Sequence, residues 1–156
     1  QVYLGKKFLI FELVMAQRKF FIMLQFTGNE WITSVLLMKF AEDYCSAIRS
    51  NGVIFGFDAR NLFNSVSIYI VPMVNPDGVN ISAGAFREDS SAYLKAKRIS
   101  SNFPSIPFPS GWKANINGVD LNLQFPAEWE RAKEIKFRQG FNKPAPRDYV
   151  GLRSFD

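Results

Sequence analysis

The sequence of 156 residues contains no histidine. That absence excludes Ser-His-Asp and Cys-His catalysis outright. It also removes the commonest protein ligand for zinc. There is one cysteine, Cys45, so no intrachain disulfide can form. Cys45 falls in an apolar helical pattern and is expected to be a small buried residue. No apolar run reaches the roughly 18 to 20 residues of a membrane span. Neither a P-loop nor a dinucleotide-binding fingerprint occurs. RNA-binding aromatic signatures and a groove-reading helix are lacking too, so nucleic acid is not an expected partner. Internal repeats, low-complexity tracts and an interdomain linker are also missing.

What is present is ordinary globular material: 47% apolar and 21% charged residues. A chain of this length suits one domain or part of one, able to bury about two thirds of its unfolded surface. The 16 Phe residues imply a bulky aromatic core, or a surface normally covered by more chain. A net charge of +5 permits weak attraction to anionic polymers, such as an anionic cell wall. The cations are scattered, and "YLKAKRIS" and "EWERAKEIKFRQG" read as solvated helix faces. "KKFLIFELVMAQ" has the lysines, apolar stretch and small residues of an export signal. Glu12 interrupts it and no initiator Met precedes it, so a strand is expected and the signal is the alternative.

The runs "KKFLIFELV" and "RKFFIMLQF" predict a hairpin or two neighbouring strands, the second covered on both faces. In "NEWITSVLLMKFAEDYCSAIRSNG", Trp31, Val35, Met38, Ala41 and Cys45 recur at helical steps, and "SNG" ends the helix. "GFDARNLFNSV" predicts a short helix capped by Asp. "SIYIVPMV" is a buried, central strand running into a turn at "NPDG", with Pro76, Asp77 and Gly78 in the turn. A helix over "FREDSSAYLKAKRISSN" precedes a long irregular segment, "FPSIPFPSGWKANINGVDLNLQFP". "PAEWERAKEIKF" is a helix with Pro126 near its start. The last fifteen residues are loop. Strands alternating with helices make the class α/β, with a mixed, mostly parallel sheet flanked by helices.

"TGNEWIT" stands where the chain leaves a buried strand and enters a helix, a good place for metal or substrate ligands. Together with "IYIVPMVNPDGV", "GWKANINGVDLNLQFPAEWERAKEIKFRQGF" and "PAPRDYVG", it resembles the zinc carboxypeptidase family. The branch it most resembles is the bacterial γ-D-glutamyl-diaminopimelate peptidases, which cut cell-wall peptides. The resemblance runs in order from about Leu4 to Gly151, whereas "GVDLN" or "NPDG" alone would be weak.

The resemblance implies a His-x-x-Glu zinc motif in which Glu30 holds the glutamate position and Thr27 stands in place of the histidine. A neutral hydroxyl is a poor zinc ligand beside an imidazole. The family's third ligand and its general-base glutamate lie beyond Asp156, so residues 1–156 are expected to form a partial catalytic domain lacking its C-terminal portion. The last residues, "LRSFD", depart from the family pattern, which is compatible with a frameshift or premature stop. Zinc is the family's cofactor, and this chain is expected not to bind it. Lys113 occupies the place of the cation that steadies the tetrahedral oxyanion. Asn122 matches a substrate contact. Leu123 stands where classical carboxypeptidases carry a carboxylate-gripping arginine, which points away from simple C-terminal trimming. The plainer alternatives are a helix N-terminal carboxylate for Glu30 and an exposed loop lysine for Lys113. Asn75 and Asp120 read as loop-stabilising residues, and Asp77 belongs to the turn.

The expected function is therefore that of a metallopeptidase-family chain related to zinc-dependent hydrolases of cell-wall peptide amides, inactive as it stands. The alternatives are a non-catalytic muropeptide-binding module and a decayed fragment without function. A peptidoglycan-derived peptide is the expected partner, at the bacterial cell wall or during sporulation. Self-association through exposed strand edges is expected as well.

Overall fold

A computed structural model describes residues 11–13, backbone only, and residues 18–154. Most of the signal-like stretch lies outside the described residues. The chain forms two compact units, Gln1–Gln25 with Ile32–Val74, and Phe26–Trp31 with Asn75–Asp156.

In the first unit, β1 (Phe11–Leu13) and β2 (Arg18–Met23) flank β5 (Val66–Val71). β2 pairs with β5 in parallel, and β1 pairs with it antiparallel. The sheet is mixed, and β5 is central, as expected from its apolar sequence. Among the described residues, the expected pairing of β1 with β2 does not occur. Strands adjacent in sequence are separated here because the chain returns through the helical stretch 32–65 and inserts β5 between them.

α1 (Ile32–Arg49) buries Ser34, Leu37 and Tyr44. The Ser34 hydroxyl lies 2.6 Å from Gln25 Oε1 and 2.5 Å from the Pro72 carbonyl, tying the helix start to the ends of β2 and β5. Asn51 adopts a left-handed φ of 50°, and the Gly52 N–H bonds back to the Ala47 carbonyl, ending the helix at "SNG". β3 (Val53–Ile54) and β4 (Phe57–Asp58) form a hairpin whose two turn residues, Phe55 and Gly56, both have positive φ. Asp58 then caps α2 (Ala59–Ser65), accepting from the Asn61 N–H at 2.7 Å. Tyr44, Ile54 and Ala59 form the core, with Phe40, Ala47, Ile48 and Leu62 packed on it.

Two further expectations are overturned in this unit. Cys45 is exposed, not buried. The buried stripe of α1 runs through Leu37 and Tyr44, and apolar residues on its other faces, with Cys45, are left outward: Val35, Met38 and Cys45 are exposed. β2 is an edge strand, not one covered on both faces: Phe20, Phe21 and Met23 are exposed. Among the described residues, nothing pairs with its outer side.

An unpaired apolar edge is a template for strand addition. We therefore expect the purified chain to self-associate at tens of micromolar. Sedimentation velocity should show species heavier than the monomer. A single monomer boundary with a cooperative melt would contradict this.

The second unit carries α3 (Pro76–Ser82), α4 (Ser91–Ser100), a 3-10 turn at Leu121–Leu123 and α5 (Trp129–Arg138). "NPDG" begins α3 and is not a free turn. Pro with an Asx residue before it suits both, and here Asn75 accepts the Gly78 N–H as a helix cap. Ser90 caps α4 through the Tyr93 N–H. α5 starts three residues after Pro126, behind Glu128 in a left-handed conformation. The long segment between α4 and α5 is irregular except for the 3-10 turn, yet it is anchored. Trp112 is fully buried with Ile81, Ala96 and Ala114, and its Nε1–H donates to the Ala114 carbonyl at 2.7 Å. A second cluster joins Val119, Ala145 and Tyr149 with Phe103, Phe137 and Phe141.

Candidate functional site

The site is built in the second unit, on the segment Phe26–Trp31 and the loop around Lys113. Trp112 and Ala114 are fully buried, whereas the side chain of Lys113 between them is partly exposed. The Lys113 and Ala114 N–H groups both donate to the Pro146 carbonyl, at 2.8 and 2.9 Å.

Asn75 joins the two pieces. Its side chain is fully buried, and Nδ2 lies 3.0 to 3.1 Å from the carbonyls of Phe26, Lys113 and Ala114. Gly28 completes the junction. Its N–H donates to the Lys113 carbonyl at 2.9 Å, and its own carbonyl accepts the Ser82 hydroxyl at 2.6 Å.

The consequence is an ion pair between residues 83 positions apart: Lys113 Nζ lies 3.2 Å from Glu30 Oε1. The lysine side chain is 22% exposed and the glutamate 55%. Thr27 is buried one turn back from Glu30. Its hydroxyl, followed by Lys113 and the more distant Arg147, holds the Glu30 carboxyl below its ordinary pKa. Thr27, Glu30 and Lys113 therefore lie together at one place in this unit. Asn122 is exposed in the 3-10 turn, and its backbone N–H is bound by the Asp120 carboxylate.

Asp120 is a structural hub. It is buried, accepts the N–H groups of Asn122 and Asp148, and donates its own N–H to the Tyr149 carbonyl. Burial raises its pKa despite those bonds. Burial also pushes on Asp148, but bonds from Lys136 at 2.6 Å and Arg147 at 2.8 Å outweigh it and hold that carboxyl low. Arg147 is the member that sequence reasoning missed. It lay within "PAPRDY", and its field reaches Glu30 only because the chain returns to the Lys113 loop through Pro146.

A catalytic zinc needs three protein ligands turned toward one point. Glu30 offers a carboxylate, but an ammonium and a neutral hydroxyl already face it. Among the described residues, no group of three His, Cys, Asp or Glu side chains could hold a metal ion. The donor set does not fit zinc. What the arrangement offers instead is a partly exposed, fixed cation able to donate to a carbonyl or carboxylate oxygen.

A family model for zinc carboxypeptidases matches residues 13–154. The chain belongs to the zinc carboxypeptidase family, a zinc-dependent peptidase family by its description. It is 45% identical over 126 residues to γ-D-glutamyl-L-diamino acid endopeptidase 1 of Lysinibacillus sphaericus, covering 81% of this chain and 30% of that protein. It is 40% identical over 127 residues to the uncharacterized protein YqgT of Bacillus subtilis, covering 81% and 32%. Carboxypeptidase E of Caenorhabditis elegans is 34% identical over 102 residues, covering 64% and 16%. The chain thus spans about a third of the length of its bacterial relatives. No solved structure matches significantly. Among the described residues, no helix is long and apolar enough to cross a membrane.

Proposed function

We propose that this chain retains the peptide-facing part of a cell-wall amide hydrolase site and does not turn substrate over as it stands. The observation that carries this reading is the Thr27–Glu30–Lys113 cluster. The carboxylate of a zinc motif is held there by an ammonium and a hydroxyl. The 45% identity to a γ-D-glutamyl-L-diamino acid endopeptidase supports a peptide of γ-D-glutamyl-diaminopimelate type as ligand. Leu123, which has no charge to grip a terminal carboxylate, also favours an internal amide or a dipeptide-releasing register over C-terminal trimming.

In this reading Glu30 orients Lys113, and Lys113 donates to a peptide carbonyl or carboxylate oxygen. Asn122 is a further contact in the exposed turn. Zinc is not retained, and no group activates a water. The buried frame under the pair, centred on Asn75, favours binding without cleavage over a decayed, non-binding fragment.

Titration with a γ-D-glutamyl-diaminopimelate peptide, with zinc supplied, tests this. Saturable binding at millimolar peptide or below is expected, with hydrolysis no faster than in buffer. Lys113→Ala should weaken binding at least tenfold, the scale of one charge-assisted hydrogen bond of about 1.5 to 3 kcal/mol. Turnover would overturn the inactive reading, and no binding at millimolar peptide would overturn the recognition reading.

A further inference from the structure

From Ser90 to Val119 the sequence holds no acidic residue in thirty positions, but it carries Lys95, Lys97, Arg98 and Lys113. Lys113 is paired with Glu30. The remaining cations lie on α4. Lys95, Arg98 and Asn102 are spaced by three and four residues, so they follow one helix face and its extension. Asn102 also receives Lys143: its Oδ1 lies 3.4 Å from Lys143 Nζ, while its Nδ2 bonds the Arg98 carbonyl. At the other end, Lys95 Nζ bonds Asn117 Oδ1 at 2.5 Å. Lys95, Arg98 and Lys143 thus form one exposed strip, held at both ends by neutral amides.

This strip differs from five other cations of the same unit. Arg87, Arg131, Lys136, Arg138 and Arg147 each sit beside a carboxylate. Among the described residues, no carboxylate pairs with Lys95, Arg98 or Lys143. The aromatic rings beside the strip are already engaged. Lys97 lies over Tyr93, which packs on Phe108; Lys143 lies over Phe103, which stacks on Phe141. Single-stranded nucleic acid binders present open rings for base stacking, and this strip does not.

We propose that the Lys95–Arg98–Lys143 strip binds a linear phosphate-linked polyanion that lacks bases. Such a chain asks only for a row of cations that no carboxylate neutralises, and its affinity comes from counterion release. The function is separate from the peptide site and does not depend on it.

The probe is long-chain inorganic polyphosphate, titrated into the full chain at several salt concentrations. The expected log affinity falls with log salt with a slope of about −2, roughly 0.7 for each of three phosphates. The variant Lys95→Gln/Arg98→Gln/Lys143→Gln should bind at least tenfold more weakly near 0.1 M salt, and Lys143→Gln alone about threefold. The control Arg87→Gln/Arg131→Gln/Arg138→Gln removes three acid-paired cations and should stay within twofold. Equal loss in both triple variants would overturn the proposal in favour of net charge alone. Absence of binding near 0.1 M salt, or tighter binding of a single-stranded oligonucleotide of equal charge, would also overturn it. Melting curves of each variant establish that the loss is not unfolding.

Discussion

Replacing Asn75 with Ala is expected to destabilise the chain by about 3 to 5 kcal/mol. The side chain is fully buried and serves four backbone groups: the carbonyls of Phe26, Lys113 and Ala114, and the N–H of Gly78. A buried polar group left without its partner costs about 1 to 3 kcal/mol, and such losses in one network do not simply add. Asn75→Asp separates the two roles. It keeps the acceptor for Gly78 but places a carboxylate against three carbonyl oxygens, so it should be at least as damaging as Ala. Denaturant melts of the three proteins measure this directly. A loss below about 1 kcal/mol for both variants would mean that Asn75 is not the junction between the Phe26–Glu30 segment and the Lys113 loop.

Gly28→Ala is the second large effect. A Cβ at position 28 would sit 2.5 Å from the Gly78 carbonyl oxygen and 2.9 Å from that of Trp112. Both obstacles are backbone, and Trp112 is locked in the core, so neither yields cheaply. A loss of about 3 kcal/mol is expected, at the upper end for overpacking by one methyl. The strain falls one residue after Thr27, so the Glu30–Lys113 pair should open as well. Loss of the peptide binding proposed above, in protein that is still folded, would report that opening. Unchanged stability would show that the segment shifts freely.

These two positions also show what the sequence can reveal. Asn75 was legible as an Asx residue that bonds nearby backbone, and it does cap α3. Its three long-range bonds were not legible, because nothing local in "NPDG" records where Phe26 or Lys113 will lie. The same limit applies to the strands. "RKFFIMLQF" announces a strand by composition, but partner choice is non-local, and β5 displaced the expected hairpin. Helix existence was clear for α1, whereas its inward face was not. A helix with apolar residues on several faces gives no single stripe, and the wrong one was assigned to Cys45. The candidate site was readable through motif order. Its electrostatics were not, since the 83-residue step from Glu30 to Lys113 and the approach of Arg147 exist only in the fold.

In the proposed reading Lys113 and Thr27, and not a metal ion, satisfy Glu30. Native mass spectrometry of the full chain with equimolar zinc tests it most directly. A folded charge-state distribution at the metal-free mass, unchanged by zinc, is expected. One zinc held tightly per folded chain would contradict it.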